Sequence, residues 1–486
     1  MLFSFLLLQA ATAAFAWDTF LVPHTPGGDD TPGLLSLVTN HSSDATILFR
    51  KGITYNIFTA IKFPVLTNVE IAIEGNLTYP TNISEIQAIV GASDFPGSWF
   101  TFSGGNNVTL RGSTDTEWGW VDGHGQAWWD AVQQVNRPHG WAFNDITNGV
   151  IRDMKLWKPI GWNFATSGCV NVHVYNNKIL AASDTSVMFC ASSMASLIIG
   201  PVVPIQHRRY ANNPCRYRSS QVAGFSAGGN NILFENNYVV NGDDCLTVGS
   251  GAHNITWRNS YCEGGHGLSI GSLGSGGSVA DVQNVLCVRP SYQVPALTSH
   301  ARSMETTIMN TTLYGARFKS WTGGNLWKRS CAQVRSVNSY VRSHSSDDSV
   351  TWKDITFIDV PFPIYVTQNY WDQELGPPPN NTNTVNNTHI QDFLFENFVG
   401  VIRDTPYVEG SCVTDPCWYF VPNATGREVV ILDLYPGTAT NVLAKDIFAR
   451  TETGRPVAVM CNSTTVSNDV GFKCWDGPFI RTKAGL

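Results

Sequence analysis

Asn231-Ile232-Leu233-Phe234-Glu235-Asn236 and, 23 residues later, Asn254-Ile255-Thr256-Trp257-Arg258-Asn259 decide the fold. Each copy opens on asparagine, alternates apolar and polar positions, and ends in a polar turn. The pattern also occurs at Asn148–Asp153, Asn171–Asn176 and Val279–Asn284, with a late copy at Val350–Ile355. Alternation with a period of two reads as strand, and no long stretch has helical periodicity. The starts at 148, 171, 231, 254 and 279 are spaced 23, 60, 23 and 25. One strand per copy at such a period is the mark of a β-solenoid, whose turns bury their apolar faces only by stacking. Asparagine suits the bends because it tolerates left-handed backbone and can hydrogen-bond along the stack. A β-sandwich with coincidental spacing is the alternative.

The interval of 60 is the exception, 37 residues longer than its neighbours. Val187–Ala223 accounts for the excess. It carries Arg208, Arg209, Arg216 and Arg218, the cysteines Cys190 and Cys215, and an apolar run without alternation. The stretches near 287–302 and 326–349 read alike and hold Cys287 and Cys331. All three are expected to be insertions foreign to the fold, such as translated introns. Genuine surface insertions at solenoid bends are the alternative. No linker separates a second domain, so 17–486 is expected to form one unit.

Composition places the chain by class. Of 486 residues, 43% are hydrophobic, enough for a large core, and only 14% are charged, well below the usual quarter or so. A net charge of −7 argues against general nucleic-acid binding, which needs a basic surface. Leu2–Leu8 is a short apolar run, and Ala14-Phe15-Ala16 fits a cleavage site, so 1–16 reads as a signal peptide of a secreted protein. No other apolar run would span a membrane. Sequons at Asn40, Asn76, Asn82, Asn107, Asn254, Asn310, Asn380, Asn386, Asn423 and Asn462 suit a secreted glycoprotein. Eleven cysteines leave at least one unpaired. Cys245 with Cys262, Cys412 with Cys417 and Cys461 with Cys474 are short-loop disulfide candidates, and Cys169 is left over once the three segments are set aside.

Chemistry concentrates at Gly242-Asp243-Asp244-Cys245 and Gly265-His266-Gly267. Two adjacent acids in a strand-rich context are electrostatically costly, because each charge raises the other's pKa. His266 lies 23 residues beyond Asp243, one repeat along, and is expected to stack beside the acids. Arg317 and Lys319 alternate around Phe318 and so share one strand face. Two carboxylates are what glycosidic cleavage needs, one to protonate the leaving oxygen and one to activate water. Cations on the same face would recognise an acidic sugar. Taken singly, each motif also fits a solvated turn or strand face; the combination at repeat spacing points to a site.

These motifs, in this order, resemble the pectin-degrading glycoside hydrolases of family 28, the polygalacturonases. Asp122-Gly123-His124-Gly125 with Trp128-Trp129 upstream, and Gln368-Asn369-Tyr370 downstream, extend the resemblance over most of the chain. It implies a right-handed parallel β-helix and inverting hydrolysis of α-1,4 bonds between galacturonic acids. It further implies Asp243 as proton donor, Asp244 in water activation, His266 in support of the acid, and Arg317, Lys319 and Tyr370 as substrate-binding residues. The family disulfide corresponds to Cys245–Cys262, and neither metal nor organic cofactor is expected. Ser269–Gly274 and Gly224–Gly229 look most like fungal exo-acting members, which cut galacturonate from chain ends. Endo-polygalacturonase, rhamnogalacturonan or xylogalacturonan hydrolase are the alternatives. The partner expected is pectin or its oligosaccharides, and the protein itself is expected to be a monomer.

One departure stands out. The family carries a third acid one turn before the pair, where this chain has Ala223. If the segment ending at Ala223 is foreign, its junction has erased the motif and the true product retains an acid. If the sequence is genuine, water activation rests on Asp244 alone. The expectation is then a strongly weakened enzyme, or a carbohydrate-binding β-helix that has lost catalysis. A pectate lyase on a similar coil is the rival chemistry; it would need a calcium site built from several acids.

Overall fold

A computed structural model describes residues 17–133, 135–184, 222–275, 280–288, 307–310, 313–321, 350–370, 388–404, 425–461 and 465. Within them the chain winds as a right-handed parallel β-helix, the strands pairing in parallel with their equivalents in neighbouring turns. Three short helices (Thr31–Val38, Ile83–Val90 and Gly125–Asp130) interrupt the first turns. No helix among the described residues is long and apolar enough to cross a membrane.

The repeat read from the sequence is the register of the coil. Gly149 pairs with Val172, Val172 with Ile232, and Ile232 with Ile255. Strands flanking the long interval are therefore direct neighbours, and its additional residues do not lengthen the ladder. Inward positions build one continuous core. Phe100 stacks on Trp141 at 3.7 Å and Phe102 on Phe143 at 4.5 Å, and Phe164 and Phe225 continue the column. Offset stacked rings one turn apart add to their burial.

The bend asparagines behave as the pattern predicts. Asn148, Asn171, Asn231 and Asn254 all have φ between 55° and 60°, the left-handed region that asparagine tolerates. Their side chains bond along the axis: Asn171 Nδ2 donates to Asn148 Oδ1 at 3.1 Å, and Asn231 Nδ2 to Asn171 Oδ1 at 2.7 Å. The sequons at Asn107 and Asn254 coincide with this ladder, since Asn107 donates to Asn68 and Asn254 to Asn230. Asn40 and Asn82 are exposed; Asn76 and Asn310 are half-buried, and Asn76 Oδ1 accepts from the Trp120 backbone. Asn380, Asn386, Asn423 and Asn462 lie outside the described residues.

Two details correct the sequence reading. The copy assigned to Val279 begins later: Val282 pairs with Ala252, and Asn284 donates to Asn254 at 2.6 Å, a spacing of 30. Alternation alone leaves register open, whereas the asparagine ladder sets it. Cys287, assigned to a foreign segment, is a buried member of the strand Val282–Val288, pairing with Trp257 and Trp352. The coil thus continues through residue 288.

Cys245 and Cys262 are joined by a disulfide. Cys461 is also disulfide-bonded, to a partner outside the described residues, while Cys169 and Cys287 are free and buried. Cys412, Cys417 and Cys474, the signal segment, and the bulk of the three unusual segments are likewise outside the described residues. The Cys245–Cys262 bond closes a loop of 17 residues, for which chain entropy gives about 3 kcal/mol. Cys262→Ser should accordingly lower stability by roughly that amount, measured by denaturant unfolding; an unchanged midpoint would refute the assignment of this stabilisation to the bond.

Candidate active site

Asp243 and Asp244 follow the short strand Tyr238–Val240 and precede Leu246–Arg258, so they sit at a bend of the coil. One turn on, the His266 amide donates to the Asp243 carbonyl at 2.9 Å. The imidazole follows its backbone: His266 Nδ1 stands 3.4 Å from Asp243 Oδ1. A further turn brings Arg317 and Lys319, because Ser269 pairs with Arg317 across the strands Leu268–Leu273 and Tyr314–Trp321. All six residues named from the sequence converge, since Tyr370 lies 5.7 Å from the Arg317 guanidinium and 5.4 Å from Lys319 Nζ.

Asp244 is the hub and is buried, with 2% exposure. Lys319 Nζ pairs with its Oδ2 at 2.6 Å, and Arg317 Nη1 lies 3.7 Å from Oδ1. Two hydroxyls that sequence reasoning did not assign complete the shell: Ser269 Oγ donates to Oδ1 at 2.5 Å and Thr247 Oγ1 to Oδ2 at 3.1 Å. Their signal was the repeat itself, because Thr247, Ser269 and Arg317 occupy equivalent positions in three successive turns. A charged carboxylate inside a protein is tolerable only with such partners. Ser269→Ala should therefore cost activity by about tenfold or more, the loss of one hydrogen bond to a charge. A kcat/KM unchanged in that variant would show that Asp244 needs no such anchor.

The cations are not the solvated pair that alternation alone allows. Arg317 is 1% and Lys319 6% exposed, and the guanidinium lies over the Tyr314 ring at 4.3 Å. Burial lowers the Lys319 pKa against the pull of Asp244, and burial pushes the Tyr314 phenol up to about 12. Arg317 Nε and Nη1 are buried without hydrogen-bond partners, although Nη1 is ion-paired with Asp244 at 3.7 Å. Unsatisfied buried donors are costly, and an anionic ligand would satisfy them.

Asp243 is the acid nearer to solvent, its side chain 18% exposed. Burial opposes its charge, but His266 contact and charge, then Lys319 and the Asp244 amide, outweigh this and hold the carboxyl well below the usual range. Asp243 and His266 thus face each other in direct contact across one turn of the coil.

Asp243, Asp244 and His266 each offer a ligand atom within 4.8 Å of the others. This set suits a calcium ion poorly, since Lys319 and Arg317 already compensate Asp244 and calcium takes six to eight oxygens. Ala223 occupies the place of the missing acid: the Gly224 amide donates to the Asp244 carbonyl, which puts Ala223 beside Asp244 one turn earlier, at 7% exposure.

A family model for glycosyl hydrolases family 28 matches residues 47–291. The chain is also 32% identical to the probable exopolygalacturonase C of Aspergillus terreus, over 97% of this chain and 95% of that relative. The chain belongs to glycosyl hydrolases family 28. The corresponding Aspergillus niger protein, likewise a probable exopolygalacturonase C, is 32% identical over 93% of this chain and 89% of its own length. Among solved structures, the endo-xylogalacturonan hydrolase of Aspergillus tubingensis superposes with a TM-score of 0.67 at 18% identity, covering 94% of this chain and 99% of that one. This likeness supports the family 28 fold. As a member of the family, the protein is a glycoside hydrolase.

Proposed function

We propose that this family 28 hydrolase is an exopolygalacturonase, a galacturan 1,4-α-galacturonidase that removes galacturonate from the ends of pectin chains. The observation that carries the acidic substrate is the buried Arg317 guanidinium beside Lys319, whose Nε and Nη1 have no hydrogen-bond partner. The Aspergillus terreus and Aspergillus niger relatives are exopolygalacturonases by name, and the surface differs on the two sides of the acids. Toward the N-terminal turns its outward residues are small and half-buried: Ala142, Ala165 and Ser226. On the other side the equivalent residues Tyr365 and Ile431 are fully buried. Further along the same strands Thr367 and Asn369 donate to Asp433, and Gln368 accepts from the Tyr435 amide. A site filled on one side suits a chain end.

In the proposed reaction Asp243, the more exposed acid, protonates the glycosidic oxygen, with His266 in contact beside it. An entering galacturonate carboxylate raises the Asp243 pKa by like charge and by excluding water. Asp244, oriented by Ser269, Thr247 and Lys319, receives the proton of the attacking water. Oxygens of the two acids lie within 4.8 Å, nearer than the ~6.5–9.5 Å of most inverting pairs. In the proposed reaction the water stands to one side of the pair, toward the small side chain of Ala223 beside Asp244. Arg317, Lys319 and Tyr370 hold the substrate carboxylate.

The test is incubation with polygalacturonate and defined oligogalacturonides, with products separated by chromatography and their anomeric configuration followed by NMR. Galacturonate monomer from the first time point, in the inverted anomer, is expected. A ladder of intermediate oligomers would assign the endo reading, and the retained anomer would overturn inversion. The same reading holds the protein to be secreted and monomeric, on the strength of segment 1–16 and the sequons. We also infer that the segments read near 187–223, 287–302 and 326–349 are foreign to the evolved fold. The first two are shortened to 187–221 and 289–302, because Val222, Ala223, Cys287 and Val288 belong to the described coil. The coil keeps register across the first of them. A spliced transcript containing all three would refute this.

A further inference from the structure

The bend that carries the acids continues through earlier turns of the coil. The Gly224 amide donates to the Asp244 carbonyl, the Asn163 amide to Ala223, and the Gly140 amide to Trp162. Asp244, Ala223, Trp162 and His139 therefore occupy equivalent positions in four successive turns, along the edge of the small-residue side of the site. Trp162 is two turns from Asp244, about 10 Å at the spacing of neighbouring strands.

Trp162 is a large side chain left 47% exposed in a protein that buries Trp99, Trp128, Trp141, Trp257 and Trp352 completely. Its ring is not loose on the surface. It stacks on the His139 ring with centroids 4.8 Å apart and planes 23° apart, so the imidazole holds one face of the indole. Neighbouring outward positions are small: Ala142 and Ala165 lie next to each other on the strands that follow these bends. A rigid aromatic plate beside a shallow floor is a fitting surface for the C–H face of a pyranose ring, which packs on an indole as an apolar surface does.

We propose that Trp162, supported by His139, forms a sugar-stacking subsite for a galacturonate unit remote from the bond being cut. This rests on the polygalacturonase reading above, with the bound chain lying along the small-residue side of the site. Such a contact is made equally in the ground state and the transition state, so it acts on KM rather than on kcat. It also acts only on substrates long enough to reach two turns from Asp244. Trp162 is thus a determinant of chain-length preference.

The test compares Trp162→Ala and Trp162→Phe on oligogalacturonides from the dimer to the hexamer, with binding measured calorimetrically alongside hydrolysis. Expected for Trp162→Ala is a rise in KM of about tenfold for the longest substrates, no change for the dimer, and kcat preserved; Trp162→Phe restores most of the loss. A KM unaffected for the hexamer, or raised equally for the dimer, overturns the subsite. If the unaltered protein hydrolyses nothing but binds the hexamer through Trp162, the catalytic reading fails and the subsite stands. If it neither binds nor hydrolyses any length, both fall.

Discussion

Asp243→Asn should lower galacturonate release by about 10²–10⁴-fold, the usual contribution of a general acid, while leaving the coil folded. Asparagine matches the carboxylate in shape and removes only the exchangeable proton and the charge. The core is built from inward columns such as Phe100, Trp141 and Phe164, so it does not feel the change. Stability should shift with pH in a defined sense. The native Asp243 pKa is depressed below the ordinary value near 3.9. Its pairing therefore stabilises the fold above that pH and is lost as pH falls through the depressed value. The Asn variant should lack this acid-side dependence. A variant that keeps full hydrolysis, measured by reducing-end release, would take the proton-donor role away from Asp243. A binding protein without catalysis would show the change in acid stability but none in hydrolysis.

The second large effect runs the other way. Ala223→Asp should raise kcat, by about 10²–10³-fold within the range for one positioned base. Ala223 stands beside Asp244 one strand spacing away, about 4.8 Å, on the side where water is expected. A carboxylate there would let two bases hold the nucleophile. The cost is a second acid in a buried place, since Ala223 is only 7% exposed, and like charges disfavour each other's ionised form. Lys319 and Arg317 are near enough to Asp244 to offset part of this. The expected pattern is a faster enzyme with slightly lower thermal stability. An Ala223→Asp variant no faster than the parent would mean that Asp244 alone already activates water fully. It would then remove the reason to regard the natural residue as a lesion at the edge of a foreign segment.

Much of the site was legible because the coil turns sequence distance into spatial distance. Asp243 and His266 are one repeat apart, and their contact follows from that alone. Arg317 and Lys319 were legible as a pair on one face but not as buried residues. Their surroundings come from Tyr314, Tyr365 and Tyr370, which belong to three positions of two different turns. Ser269 and Thr247 went unassigned for another reason. A serine in a glycine-rich stretch has many uses, and only the register that sets it over Thr247 and under Arg317 makes it a ligand of Asp244.

The sequence by itself determined the coil, because alternation at period two and an asparagine at each bend repeat every 23 residues over the central turns. It also determined which acids meet which histidine, since stacking converts one period into one contact. Only the tertiary structure decided the register after Asn254, where the turn lengthens to 30 residues and the asparagine ladder, not the apolar pattern, sets the pairing. Only it placed Cys287 inside the coil, and only it buried Tyr365 and Ile431 where the equivalent Ala142, Ala165 and Ser226 stay partly exposed. Those outcomes depend on burial and on side-chain hydrogen bonds between turns. Such energies belong to neighbours across the stack, which a linear pattern of apolar and polar residues does not encode.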